Sequence, residues 1–186
     1  MRSRFVYSYV YELPFGKGKH FLNGAPRPVD FLLGGWQTNG VATLQTGRHF
    51  TFINSFDVSN TGTSNPRANE LRDPTLSADQ RSLQRWFDTS AVALPAPYTY
   101  GNAGRNTGLG PGLVNFDMSF FKNIVLTENK GNFRPDTLQF RAEFFNIFNH
   151  PQFDIPNRLV GTPQFGTITG VVNSQRQVQF SLKLLF

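Results

Sequence analysis

The alternation of apolar and polar positions divides the chain into segments of period two, separated by turn-rich stretches. The last segment is the clearest. From Gln177 to Phe186 the even positions Val178, Phe180, Leu182, Leu184 and Phe186 are apolar, while Gln177, Gln179, Ser181 and Lys183 are polar. That is the pattern of a strand with one apolar face. A strand over Thr137 to Asn149 sets Leu138, Phe140, Ala142 and Phe144 against Gln139, Arg141 and Glu143. Another, Asn115 to Leu126, sets Phe116, Met118 and Phe120 against Asn115, Asp117 and Ser119. The opening segment alternates Phe5, Tyr7, Tyr9, Tyr11 and Leu13 with Arg4, Val6, Ser8, Val10 and Glu12. A fifth candidate, from about Gly34 to Ile53, is rich in Gly and Thr, is interrupted near Gly47, and has blurred faces.

The connections carry as much information as the strands. The first runs through Pro14-Phe15-Gly16-Lys17-Gly18 to about Phe31, the second from Asn54 to Leu113, the third from Thr127 to Asp136 and the fourth from His150 to Arg176. Alternating short turns and long loops are the habit of an up-and-down transmembrane barrel. With the chain end on the periplasmic side, loops 54–113 and 150–176 fall outside and the turn around Lys130-Gly131-Asn132 falls inside. Within the longest loop, Ser77 is placed to cap a short helix that brings Leu83, Trp86 and Phe87 to one side. From Leu94 to Gly112 the composition of Pro, Gly and Asn predicts little regular structure.

One apolar face fits two environments, the second sheet of a soluble sandwich or the hydrocarbon of a membrane. Three features favour the membrane. Spans of about 10 to 13 residues match the roughly 9 to 11 that cross a bilayer at a tilt, whereas soluble strands average about 5 to 6. The opposite faces carry Asp117, Arg141, Glu143 and Lys183 in mid-strand, which a wet lumen solvates and a packed core does not. Tyr7, Tyr9, Tyr11, Phe144, Phe148 and Phe186 put aromatic rings near strand ends, where interfacial girdles sit. The expected fold class is therefore all-β, an antiparallel up-and-down meander of about five long transmembrane strands forming part of an outer-membrane β-barrel, with a long loop carrying a short helix. A soluble or surface-attached antiparallel sheet that serves as a binding module is the other reading of the same pattern.

Composition fits this picture. The chain has 186 residues, 39% hydrophobic and 16% charged, with 20 Phe, 17 Gly, 12 Pro and no Cys. Its mean hydropathy of −0.33 shows that those phenylalanines are dispersed among polar residues rather than collected into runs. No stretch reaches the roughly 18 to 20 apolar residues of a membrane-spanning helix. Met1 to Tyr11 lacks the continuous apolar segment of a signal peptide. The absence of cysteine excludes a disulfide scaffold, a thiolate metal site and a cysteine nucleophile. The net charge of +6 first suggests an anionic partner, but basic residues come singly or in short groups such as Lys17, Lys19 and His20. No nucleic-acid partner is expected from such a distribution.

Several stretches have a familiar order. Arg4 to Gly18 (RFVYSYVYELPFGKG), Leu33 to Gln37 (LGGWQ), Arg85 to Ala91 (RWFDTSA), Gly101 to Asn106 (GNAGRN), Asn115 to Ser119 (NFDMS) and Phe140 to Pro151 (FRAEFFNIFNHP) resemble, in that order, the C-terminal part of TonB-dependent outer-membrane receptors. The branch they resemble is the Oar-like one, whose members carry a carboxypeptidase-regulatory-like domain ahead of the plug. The resemblance implies the barrel wall of a nutrient transporter in the cell outer membrane, with membrane lipid and the barrel-assembly machinery as partners, and the plug domain and TonB complex as partners in the full-length protein. It also implies a C-terminal sorting signal in Val178, Phe180, Leu182, Leu184 and Phe186, and a lumen-facing polar set in Asp117, Gln139, Arg141, Glu143, Gln179 and Lys183. The family's secretion signal, TonB-contacting box, plug and most of its barrel of about 22 strands have no counterpart in this sequence. Five strands do not close a barrel, since the smallest have eight. The chain is accordingly expected to be the C-terminal piece of a longer protein, a truncated gene or an assembly fragment, and not competent alone.

No catalytic constellation accompanies these features. His20, His49 and His150 are widely separated, with no second ligand at i+3 or i+4, and no Gly-x-Ser-x-Gly elbow occurs. The Gly-rich run Gly104 to Gly112 lacks the Gly-Lys-Ser/Thr ending of a phosphate loop. Neither an enzyme nor a cofactor is expected. Arg141, Glu143 and Asp117 read either as a charged wall that touches plug or substrate, or as a cross-strand pair that solvates the interior. Asn146, Asn149 and His150 are expected to cap or bend the chain at the strand's outer end.

Overall fold

The computed structural model describes residues 3–126 and 137–185. The elements run β1 (Arg4–Glu12), α1 (Arg27–Leu33), β2 (Trp36–Gln45), β3 (His49–Phe50), β4 (Ile53–Asn54), β5 (Asn69–Glu70), β6 (Val92–Ala93), β7 (Gly108–Leu109), β8 (Leu113–Val125), β9 (Thr137–Phe145), β10 (Leu159–Val160) and β11 (Gln177–Leu185). Single 3-10 turns occupy Ala78–Gln80 and Thr89–Ala91. The turn expected around Lys130-Gly131-Asn132 and the terminal Phe186 lie outside the described residues.

The long strands form one five-stranded sheet in the order β1-β2-β8-β9-β11, an up-and-down meander of sequential neighbours. Antiparallel pairing sets Phe180 opposite Ala142 and Leu182 opposite Phe140, and Phe120 opposite Ala142 and Ile124 opposite Leu138. Because the side-chain period is two, this register gathers the apolar residues of three strands on one face and Gln139, Arg141, Glu143, Gln179 and Lys183 on the other. The sheet belongs to a compact unit of Phe5–Thr43, Val114–His150 and Ser174–Phe186.

The second unit comprises Met1–Arg4, Leu44–Leu113 and Pro151–Asn173. It is built from the two long connections and the residues 44–53 that lead into the first, and it packs around a core although its regular elements are only short. Short ladders pair β3 with β7 and β5 with β6 antiparallel, and β4 with β10 in parallel. The buried hydrophobic cluster of the described residues lies in this unit: Phe50, Phe52, Ala68, Phe87, Ala91, Val92, Ala103 and Val160. Phe52 and Phe87 meet edge to face at 5.0 Å, and Phe87 and Phe165 at 5.1 Å. Each such pair adds about 0.5–1.5 kcal/mol beyond its buried area.

Several boundaries differ from the pattern-based expectation. The β9 strand ends at Phe145, not Asn149, because Asn146 and Asn149 adopt left-handed backbone at φ 50° and 51°. The Gly34 to Ile53 candidate is a strand only over Trp36–Gln45 and then breaks into two dipeptide strands. The Gly47 break has a steric cause: a Cβ there would stand 2.0 Å from the Gly110 carbonyl oxygen. The expected helix after Ser77 is a single 3-10 turn that Ser77 does not cap with its side chain. Phe87 reaches the core from a bend in the chain, while Leu83 remains exposed. Helix α1 was not anticipated by periodicity. It is only 7 residues long, with Pro26 as its N-cap residue and Pro28 in its first turn.

Candidate functional site

The sheet presents two chemically opposite surfaces. On one, Met118, Phe120, Phe140, Phe144, Val178, Phe180, Leu182 and Leu184 share a side, with Phe140 stacked on Phe180 at 6.3 Å and Phe120 edge-on to Phe144 at 6.1 Å. Phe180 and Leu182 are 67% and 69% exposed. Among the described residues no second sheet covers this apolar face, and a face of this extent is unstable in water and suited to hydrocarbon.

The opposite surface is a hydrogen-bonded polar wall. The Arg141 guanidinium donates to Gln139 Oε1 at 2.6 Å, and Gln139 Nε2 donates to Asn123 Oδ1 at 2.8 Å. The same guanidinium lies 5.7 Å from the centre of the Phe121 ring. At the strand end, Glu12 accepts from Gln37 Nε2 at 3.2 Å, and Lys19 of the turn that follows β1 reaches it at 2.6 Å around the edge of the sheet. Register places Glu143 between Ser119 and Gln179, and Lys183 beside Gln139. The six polar residues expected to face a lumen therefore occupy one side of the sheet. No ion pair among the described residues links Arg141 to Glu143 or Asp117. Arg141 is held by an amide and a ring, and Asp117 is engaged elsewhere.

That engagement builds the corner at the end of β9. Asp117 Oδ1 accepts the Asn146 N–H at 2.9 Å, and Asp117 Oδ2 accepts from Asn115 Nδ2 at 2.9 Å. Asn146, 5% exposed, donates from Nδ2 to the His150 carbonyl at 3.0 Å and accepts the His150 N–H at 2.9 Å. Asn149 Oδ1 accepts the Arg176 N–H at 3.0 Å. The run Asn146 to His150 thus caps the strand end and turns the chain.

In the loop unit the motif residues are structural. Asp88 accepts from Ser90, Arg72 and Arg85, and these contacts, led by the Ser90 hydroxyl and then Arg72, hold its carboxyl well below the usual carboxylate range. Asp57 accepts the Ser59 hydroxyl and the Thr61 and Gly62 amides, which lowers its carboxyl likewise. Asn102 Oδ1 accepts the Glu70 N–H at 2.7 Å, and the Asn102 N–H donates to Asn69 Oδ1 at 3.0 Å. Gly101 packs so closely that a Cβ would stand 2.0 Å from the Arg67 carbonyl oxygen. No group of three or more His, Cys, Asp or Glu able to hold a metal occurs among the described residues.

The alternation reading missed Lys122. Its parity places it on the apolar side, opposite Phe140, where it is 8% exposed. Its ammonium donates to the carbonyls of Phe31 and Gly34, the latter at 2.6 Å, and lies 5.5 and 5.7 Å from the Phe31 and Trp36 ring centres. Carbonyls freed at the end of α1 and two aromatic faces replace water around the charge. The available signal was a lysine at an even position in an otherwise apolar register, which requires a local partner.

Of the sorting-signal residues, Val178, Phe180, Leu182 and Leu184 lie in β11 on the apolar side, and Phe186 lies outside the described residues. Residues 1–179 match the family described as outer membrane beta barrel domain. No curated protein and no solved structure is significantly similar to the chain.

Proposed function

The chain belongs to the outer membrane beta barrel domain family, and from that premise we propose that it supplies wall and loops to a TonB-dependent receptor that takes up a nutrient across the cell outer membrane. The cell outer membrane is its location, and the soluble binding module weighed from the pattern gives way to it. In this reading the apolar face meets lipid, and Asp117, Gln139, Arg141, Glu143, Gln179 and Lys183 line the lumen against plug or solute. The barrel-assembly machinery reads the terminal strand. With β1 and β11 as open sheet edges, the chain acts as part of a larger barrel, because each unsatisfied backbone group in lipid costs several kcal/mol.

The observation that carries the proposal is that the long connections between the strands form a unit with its own aromatic core. Long, ordered loops can hold a ligand in a fixed geometry, whereas a barrel that serves only as an anchor has no use for them. The ordered motifs from RFVYSYVYELPFGKG to FRAEFFNIFNHP supply the TonB-dependent part of the reading. Capture of the detergent-solubilised full-length protein on the immobilised periplasmic domain of TonB tests it. Saturable retention is expected; no retention above a control resin overturns the energy-coupled reading.

A further inference from the structure

Helix α1 lies against the apolar side of the sheet. Trp36 Nε1 donates to the Leu32 carbonyl at 2.8 Å, and the Lys122 ammonium holds the carbonyls of Phe31 and Gly34. The preceding turn is fastened to the same helix end. Lys17 N–H donates to Asp30 Oδ1 at 2.7 Å, and Gly16, at φ 111°, packs so closely that a Cβ would stand 2.6 Å from the Gly34 Cα. These contacts, with the Lys19 N–H donating to the Gly16 carbonyl at 3.0 Å, hold the backbone that carries Lys17 and Lys19 beside an aromatic and aliphatic surface. Phe31, Leu32 and Leu33 are nonetheless 56%, 66% and 52% exposed. Among the described residues nothing covers them.

Two clefts flank this helix end. One, of about 450 Å³, is bounded by Leu13, Phe15, Leu22, Leu33, Trp36 and Phe120. The other, of about 300 Å³, is bordered by Lys17, Lys19 and Lys122 together with Asp30, Phe31 and Gly34. One short stretch lines both: Leu33 and Trp36 the first, Phe31, Gly34 and Gly35 the second. Asp30 and Glu12 offset the positive character only in part, since they are two carboxylates against the three ammonium groups of Lys17, Lys19 and Lys122. Lys19 pairs with Glu12 across side chains that are 39% and 58% exposed, a pair weak enough for its ammonium to share a second anion.

We propose that this end of the wall holds one anionic phospholipid, with its phosphate between Lys17 and Lys19 and an acyl chain in the cleft floored by Trp36 and Phe120. Charge complementarity selects the headgroup, and continuity with the lipid-facing side of the sheet selects a membrane lipid over a soluble anion. Lys122 is a positioning residue, keeping α1 on the sheet so that both clefts exist. The inference rests on membership of the outer-membrane barrel family and not on energy-coupled transport. Loss of TonB capture therefore leaves it standing, and loss of lipid binding leaves the transport reading standing.

Native mass spectrometry of the detergent-purified full-length protein, titrated with phosphatidylglycerol or phosphatidylcholine, tests it. Phosphatidylglycerol is expected to bind more tightly than phosphatidylcholine. Lys17→Gln with Lys19→Gln should weaken it by about fivefold per lysine, the worth of a basic side chain beside an anionic lipid, while phosphatidylcholine retention stays unchanged and shows that the variant is folded. Leu22→Asn, chosen because asparagine tolerates the φ of 60° at that position, should weaken both lipids. Equal retention of the two lipids, an unaltered preference in the lysine variant, unaltered retention in Leu22→Asn, or displacement of phosphatidylglycerol by equimolar lipopolysaccharide would each overturn the proposal.

Discussion

Gly108 lies directly against the ring of Phe50, its partner in the short β3–β7 ladder. A Cβ at Gly108 would stand 2.3 Å from Cε2 and 2.5 Å from Cζ of that ring. Phe50 is 2% exposed and is itself held edge-on to Phe52 at 5.2 Å, so it has no free space into which to retreat. Gly108→Ala is therefore expected to cost about 1–3 kcal/mol, the range for overpacking a filled core. Denaturant unfolding followed through the loop unit would measure it, and an unchanged midpoint would show that the aromatic cluster is looser than its geometry.

Lys122 makes a second prediction possible. Lys122→Met keeps most of the aliphatic stem but removes both hydrogen bonds to the α1 carbonyls, each of the charged kind contributing about 1.5–3 kcal/mol. Amide hydrogen exchange over residues 27–34 should accelerate at least tenfold while exchange in β9 stays as it was. Equal rates in the two proteins would mean that α1 is held by its apolar contacts alone.

The corner after β9 depends on a left-handed Asn146. Replacement by Ala adds a backbone penalty of about 1–2 kcal/mol to the loss of the hydrogen bonds with His150, whereas Gly keeps the backbone and loses only the side-chain bonds. Asn146→Ala should lower stability more than Asn146→Gly does. Equal thermal midpoints in the two variants would locate the residue's importance in the side-chain bonds and not in the left-handed backbone.

The loop unit should weaken in acid. Asp88 is held below its ordinary value by Ser90 first and Arg72 next, and Asp57, Asp73 and Asp79 are lowered as well, each chiefly by a hydroxyl. For a carboxylate lowered in the folded state, the stabilisation is present above the unfolded value, about 3.9, and is lost as pH falls through the folded value. The thermal midpoint of the unit is thus expected to hold from neutrality down to about pH 4 and to fall below it. Asp88→Asn should reduce that fall without abolishing it, since three other carboxylates remain. A wild-type midpoint that stays flat to pH 2 would contradict the assignment.

The alternation was enough to place β1, β8, β9 and β11 and to sort their faces, because a period of two depends on neighbouring residues alone. It also identified Asp117, Gln139, Arg141, Glu143, Gln179 and Lys183 as one surface. What those groups bind to was beyond it: Arg141 finds Gln139 and Phe121 rather than Glu143. Asn146 meets Asp117, 29 residues away in sequence.

The sequence by itself therefore determined a membrane wall, Phe-rich yet hydrophilic on average, whose apolar residues recur at every second position. Only the tertiary structure decided that the long connections fold around Phe50, Phe52 and Phe87, that α1 exists, and that a lysine sits among aromatic rings on the apolar side. The division has a physical cause. Strand faces follow from local periodicity, whereas a loop core and a buried cation are stabilised by partners distant in the chain, such as Gly34 for Lys122, 88 residues away.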